Sequence, residues 1–234
     1  MKQIIAMGGG GFSMEPDNPL LDTYVLEQAA DPCPNILFVG TASGDVDSYI
    51  EKFYRFFEHY PCIPDHLSLF KPSTRNIREK VLQQDIIYVG GGNTKNLLAL
   101  WKEWGLDNIL KEAWEKGIIL TGVSAGAICW FEQGVTDSYG DYLEPLNCLG
   151  FLQGSCCPHY DGEKERRPVY REFVEAGTLA AGYALDDGAA IHFTGQKIKR
   201  IVGSRKNARA YKLQAKETLQ ETAMAVEFLG EIKK

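Results

Sequence analysis

Short apolar runs alternate with amphipathic stretches along the first half of the chain. Residues 3–7, 35–39, 67–70, 86–89 and 118–120 are apolar without polar alternation. Such runs predict strands buried on both faces, which means a parallel sheet covered by helices. Between them, residues 19–30, 46–60, 93–104 and 107–116 place apolar side chains at three- and four-residue spacing, for example Leu97, Leu100, Trp101 and Trp104, and predict the helices. The plan is doubly wound β-α-β. Beyond about residue 188 the texture changes to short segments at 189–193, 198–202 and 208–213, separated by glycine or charged turns. These predict antiparallel edge strands rather than a second domain. No internal repeat or linker interrupts the pattern, so one domain over residues 1–234 is expected.

Ligands collect at the carboxyl ends of the strands of such sheets, where loops and helix N-termini converge. Three small-residue segments fall there: Gly8-Gly9-Gly10-Gly11, Gly90-Gly91-Gly92-Asn93-Thr94 and Gly122-Val123-Ser124-Ala125-Gly126-Ala127. The third is the most informative. It places Ser124 on the turn between a buried strand and a helix beginning near Ala125. The flanking glycines are expected to tolerate a strained backbone and to admit a substrate. The Ala125 amide is then one donor for a developing oxyanion, and Gly91 or Gly92 supplies the second. An ordinary strand-to-helix turn has the same composition, so the rest of the chain must decide.

A nucleophilic serine needs a base and an acid to orient that base. Of the four histidines, His59 and His66 read as structural or exposed, whereas His159 follows Pro158 after an apolar stretch. The acid is Asp187, in Leu185-Asp186-Asp187-Gly188, or Asp137, in Thr136-Asp137-Ser138.

Composition narrows the partners. A formal charge of −6 argues against general nucleic-acid binding. The exception is an acid-free run holding Lys197, Lys199, Arg200, Arg205, Lys206, Arg209 and Lys212, which reads as the solvated face of a hairpin or a basic edge. No apolar stretch is long enough to span a membrane, and the first apolar run is too short for a signal peptide. A cytoplasmic location and no membrane partner are expected. The six cysteines form no C-x-x-C pair, so reduced thiols are expected and Cys156-Cys157 read as small buried residues at a strand end. The Gly8–Gly11 segment lacks the third glycine of a dinucleotide fingerprint, Ser13 standing in its place, and no phosphate-loop lysine follows any of the segments. Neither cofactor nor metal is expected.

Together, Gly90-Gly91-Gly92-Asn93-Thr94, Gly122-Val123-Ser124-Ala125-Gly126-Ala127, Pro158-His159-Tyr160 and Leu185-Asp186-Asp187-Gly188 resemble the four signature segments of the peptidase E family, the aspartyl dipeptidases related to cyanophycinase. The resemblance covers roughly residues 1–205. It implies a three-layer α/β/α fold related to class I glutamine amidotransferases and hydrolysis of short peptides by a serine triad. By it Ser124 is the nucleophile, His159 the base, and Gly91 and Ala125 the oxyanion donors. The family usually carries glutamate where this chain has Asp187, so the loop must come closer or Asp137 must serve. Recognition of a substrate's N-terminal aspartate by an arginine beyond the histidine would fall to Arg166 or Arg167, with Asn93 as a further substrate contact.

Three other readings stay open. An α/β-hydrolase esterase would order its triad serine, acid, histidine and would need His192 as base. A relative acting on cyanophycin-like polymers would use the same site, and a ligand sensor would keep the fold without the chemistry. The expected partner is a small peptide, and a homodimer stays open.

Overall fold

The computed structural model describes residues 1–230, so the last four of the single domain expected over 1–234 lie outside the described residues. The first half of the chain runs β1 (Gln3–Met7), α1 (Gly11–Met14), α2 (Leu20–Leu26), β2 (Asn35–Val39), α3 (Asp47–Phe57), β3 (Ile63–Leu67), α4 (Ile77–Leu82), β4 (Ile86–Val89), α5 (Thr94–Trp104), α6 (Leu106–Lys116) and β5 (Ile119–Val123). The second half continues with α7 (Ala125–Ile128), β6 (Phe131–Thr136), β7 (Glu144–Asn147), β8 (Leu152–Cys157), α8 (Arg166–Glu175), β9 (Gly182–Leu185), β10 (Ala189–Thr194), β11 (Lys197–Gly203), β12 (Ala210–Ala215), β13 (Leu219–Met224) and β14 (Glu227–Phe228).

The larger sheet has eight strands in the order β14-β11-β10-β1-β5-β4-β2-β3. Its β1-β5-β4-β2-β3 portion is parallel throughout. Side chains alternate between the faces of a strand, so each apolar run feeds two cores. Ile4, Leu37, Ile87 and Leu120 pack with Val81, Trp101 and Leu110 from α4, α5 and α6. Ile5, Phe38, Tyr88 and Ile119 pack with Phe12, Val25 and Phe57 from α1, α2 and α3. This is the α/β/α layering, and it explains why the strands read as continuous apolar runs.

The structure departs from the sequence reading at several elements. The third strand occupies Ile63–Leu67 rather than 67–70, because an edge strand with one half-covered face tolerates Pro64, Asp65 and His66. The helices α1 and α4, of four and six residues, are too short to show a period. Of the expected edge strands, β10 and β11 do form an antiparallel hairpin, but β10 joins β1 inside the sheet. The third segment goes elsewhere. β12 belongs to a second sheet of six strands, β13-β12-β9-β8-β6-β7, which the apolar pattern did not disclose. One face of that sheet joins the first core through Phe131, Leu152 and Cys156, and Tyr170 and Val174 of α8 cover a third cluster around Ala184 and Leu213. All six cysteines carry free thiols. No helix among the described residues is long and apolar enough to cross a membrane.

Candidate active site

The glycines around the serine serve packing. A Cβ on Gly122 would stand 2.5 Å from the Gly126 carbonyl, and one on Gly126 would stand 2.2 Å from that of Val89. Both glycines let α7 press onto the ends of β4 and β5, and neither has positive φ. The strain lies in Ser124 itself, at φ 58° and ψ −114°, which lifts its half-buried side chain out of the turn. The roles expected of the two glycines thus fall to the serine's own backbone.

The end of β1 gathers the remaining parts. Successive carbonyls of Met7, Gly8 and Gly9 accept the amides of Ser124 (3.1 Å), His159 (3.1 Å) and Gly188 (3.0 Å). Three segments distant in sequence are thereby fixed side by side. His159, also at positive φ (52°), turns its ring inward, and its Nδ1 lies 2.6 Å from Oδ1 of Asp187. The two side chains are 11% and 12% exposed. The Asp161 carboxylate accepts the Asp187 amide at 2.8 Å, tying the acid's loop to the base's own loop. Beside it, burial pushes the Asp186 carboxyl up to about 6, with the Asp161 charge adding to the effect. Among the described residues Ser124 Oγ has no hydrogen-bond partner. Contacts of this kind commonly tighten only around a substrate.

Ser124 opens on a cleft of about 280 Å³ lined by Gly92, Asn93, Asp137, Ser138, Glu163 and Arg166. A larger hollow, about 480 Å³ around Gln3, Asp85 and Lys116, contains none of these groups. Arg166 is buried, with Nε 2.6 Å from Glu163 and Nη1 donating to the Val135 carbonyl at 3.0 Å. Asp137 stands 3.7 Å from Nη2 of Arg166 rather than beside the His159 ring, and its side chain is mostly exposed. Arg167 lies outside the cleft lining. It is paired with Glu221 at 2.5 Å and sits over the rings of Tyr160 and Tyr211. Asn93 does line the cleft, but its side chain is engaged twice, accepting the Asn96 amide as cap of α5 and donating to the Ser138 carbonyl. The Gly91 amide, expected as an oxyanion donor, is donated to the Tyr49 hydroxyl at 3.4 Å.

The other histidines are placed elsewhere. His192 is fully buried in β10, between the Tyr24 hydroxyl at 2.8 Å and Gln3 Oε1 at 3.0 Å, and burial lowers it to about 4. His66 lies within β3 against Tyr54, and His59 is exposed just beyond α3. Sequence reasoning overlooked Glu163 and Tyr49. Glu163 had a signal, its three-residue spacing ahead of Arg166; Tyr49 had none.

Residues 4–201 match peptidase family S51. An uncharacterized peptidase of Bacillus subtilis, YgaJ, is 57% identical over 98% of this chain and 100% of its own length. Peptidase E of Haemophilus influenzae is 29% identical over 57% of this chain and 63% of its own. The crystal structure of a peptidase from an acI-B1 Actinobacterium has the same fold, with a TM-score of 0.68 at 17% identity over 99% of this chain and 96% of that one.

Proposed function

The chain belongs to peptidase family S51, and on that premise we propose that it is a serine peptidase of short peptides working through Ser124, His159 and Asp187. The observation that carries this reading is the buried 2.6 Å contact between His159 and Asp187, anchored on the carbonyls next to the one that holds Ser124. With Nδ1 turned to Asp187, Nε2 is the nitrogen left to serve the serine. Ser124 Oγ attacks the scissile carbonyl while His159 takes its proton, and the imidazolium is stabilised by the Asp187 carboxylate. The proton then passes to the leaving amine as the C–N bond breaks. Water, activated by the same histidine, releases the acyl group and restores Ser124. The Ala125 amide, in the first turn of α7, supports the oxyanion together with an amide of the glycine turn after β4.

Substrates with an acidic N-terminal residue are read to meet Arg166 through Nη2, since Nε and Nη1 are held by Glu163 and the Val135 carbonyl and Nη2 has only the mostly exposed Asp137 at 3.7 Å. A fluorophosphonate probe should label Ser124, and His159→Ala should abolish the labelling. A panel of Asp-Leu, Asn-Leu and Ala-Leu should favour Asp-Leu. Absence of labelling would sink the serine mechanism, and equal rates across the panel would sink the acidic preference alone.

A further inference from the structure

The turn that carries the acid is held from both sides. Gly188 N–H is donated to the Gly9 carbonyl at 3.0 Å, and the Gly188 carbonyl accepts the Ser204 amide at 2.8 Å. Ser204 is buried just beyond β11, and its own carbonyl accepts Asn18 Nδ2 at 3.1 Å. Its hydroxyl donates to Oε2 of Glu15 at 2.8 Å, while the other oxygen of Glu15 takes Nε of Arg205. Glu15 follows α1 directly, 190 residues from Arg205, and its side chain is 11% exposed. Packing leaves these groups no slack: a Cβ on Gly10 would stand 2.9 Å from Oε2 of Glu15, and one on Gly188 would stand 2.8 Å from Ser204 Oγ and 3.0 Å from Cγ of Arg205.

One carboxylate thus ties the end of β1, whose carbonyls hold Ser124, His159 and Gly188, to the segment that holds the far side of Gly188. It also commits a cation. Arg205 comes from the acid-free basic run, and its stem lies against the residue after Asp187. Oδ1 of Asp187 is taken by His159, and Oδ2 has no hydrogen-bond partner among the described residues. A guanidinium not held by Glu15 would be drawn to that oxygen, and a carboxylate shared with a permanent cation stabilises an imidazolium less. We propose that Glu15 is a positioning residue for the triad acid: by gripping Ser204 and Arg205 together it fixes the Gly188 turn and keeps the guanidinium off Asp187. Its role in turnover rests on the serine-peptidase reading above; its effect on the His159–Asp187 pair does not.

Glu15→Gln keeps the shape and an acceptor for Ser204 but loses the charge that holds Arg205. With Asp-Leu, kcat should fall about tenfold at unchanged KM, since Glu15 lies outside the cleft and acts only through the acid. Adding Arg205→Met removes the stray cation, so Glu15→Gln/Arg205→Met should recover to within about threefold of wild type. Proton NMR reads the pair without turnover. The proton between His159 and Asp187 gives a far-downfield resonance, identified by its loss in Asp187→Asn; it should move in Glu15→Gln and return in the double variant. An unmoved resonance, a rise in KM with kcat preserved, no recovery in the double variant, or an activity loss that only follows the unfolded fraction in thermal melts would each overturn the proposal. A resonance that moves and returns while wild-type Ser124 fails to react with a fluorophosphonate would leave Glu15 in place and overturn the serine reading instead.

Discussion

Oδ1 of Asp187 lies 2.6 Å from Nδ1 of His159, and the same carboxylate is enclosed by two glycines. A Cβ on Gly9 would stand 1.9 Å from Oδ1, and one on Gly162 would stand 2.4 Å from Oδ2. An aspartate therefore reaches the histidine because its own loop and the two facing loops close on it without side chains between them. The longer acid usual in the family would have no room here.

Asp187→Asn should keep the fold and lower kcat by about 10³- to 10⁴-fold, since the amide no longer holds the imidazole in its working tautomer or stabilises the imidazolium. Asp187→Glu should not restore activity. The extra methylene displaces the pair by about 1 Å, which costs on the order of 10²-fold. Steady-state hydrolysis of Asp-Leu measures both: wild-type rates in Asp187→Asn would remove Asp187 from the triad, and wild-type rates in Asp187→Glu would show that the glycine enclosure can open for a longer acid.

Gly9→Ala tests the enclosure from the other side. The added methyl would also come within 2.9 Å of His159 Nδ1, so activity should fall by about 10²-fold even though the new group is small and apolar. Thermal unfolding monitored alongside separates this from collapse of the fold: a large activity loss with a native-like transition is expected, and full activity would show that the loop can open without consequence.

Arg166 and Arg167 should behave differently although they are neighbours in sequence. Arg166→Lys keeps the charge but loses the planar fork, and should raise KM for Asp-Leu about tenfold with little change for Ala-Leu. Arg167→Gln should leave the ratio of the two substrates unchanged, because its guanidinium is committed to Glu221 outside the cleft. The same shift in both variants would mean that the acidic preference comes from the general field of the protein.

Asp22 makes stability depend on pH. Burial raises its carboxyl from 3.8 to about 7, and among the described residues Oδ2 has no partner although Tyr88 donates to Oδ1 at 3.0 Å. A raised carboxyl favours the folded state fully below its unfolded value, and that contribution disappears as pH rises through the folded value. Asp22→Asn should therefore become more stable relative to wild type between pH 4 and 8, by on the order of 4 kcal/mol. Urea unfolding at a series of pH values measures it, and a constant difference would show that Asp22 does not titrate in that window.

What the sequence determined by itself was whatever follows from local pattern. Uninterrupted apolar runs at β1, β2, β4 and β5 can only be strands covered on both sides, and the spacing of Leu97 and Trp101 can only serve a helix lying on one of those faces. The order of Ser124, His159 and Asp187 at the ends of such runs pointed to one site. Tertiary structure decided everything that depends on segments meeting. The second sheet was hidden because its strands are one-sided, with Glu132, Gln153 and Lys212 on their open faces, so they lack the uninterrupted apolar runs of β1, β2, β4 and β5. Arg166 and Arg167 are equivalent on paper, and only the packing of α8 onto β12 and β13 turns one toward the serine and the other toward Glu221. The fate of the Gly91 amide belonged to Tyr49, 42 residues away on another helix. Periodicity reports which face of an element is buried; it carries no record of which distant donor and acceptor the burial brings together.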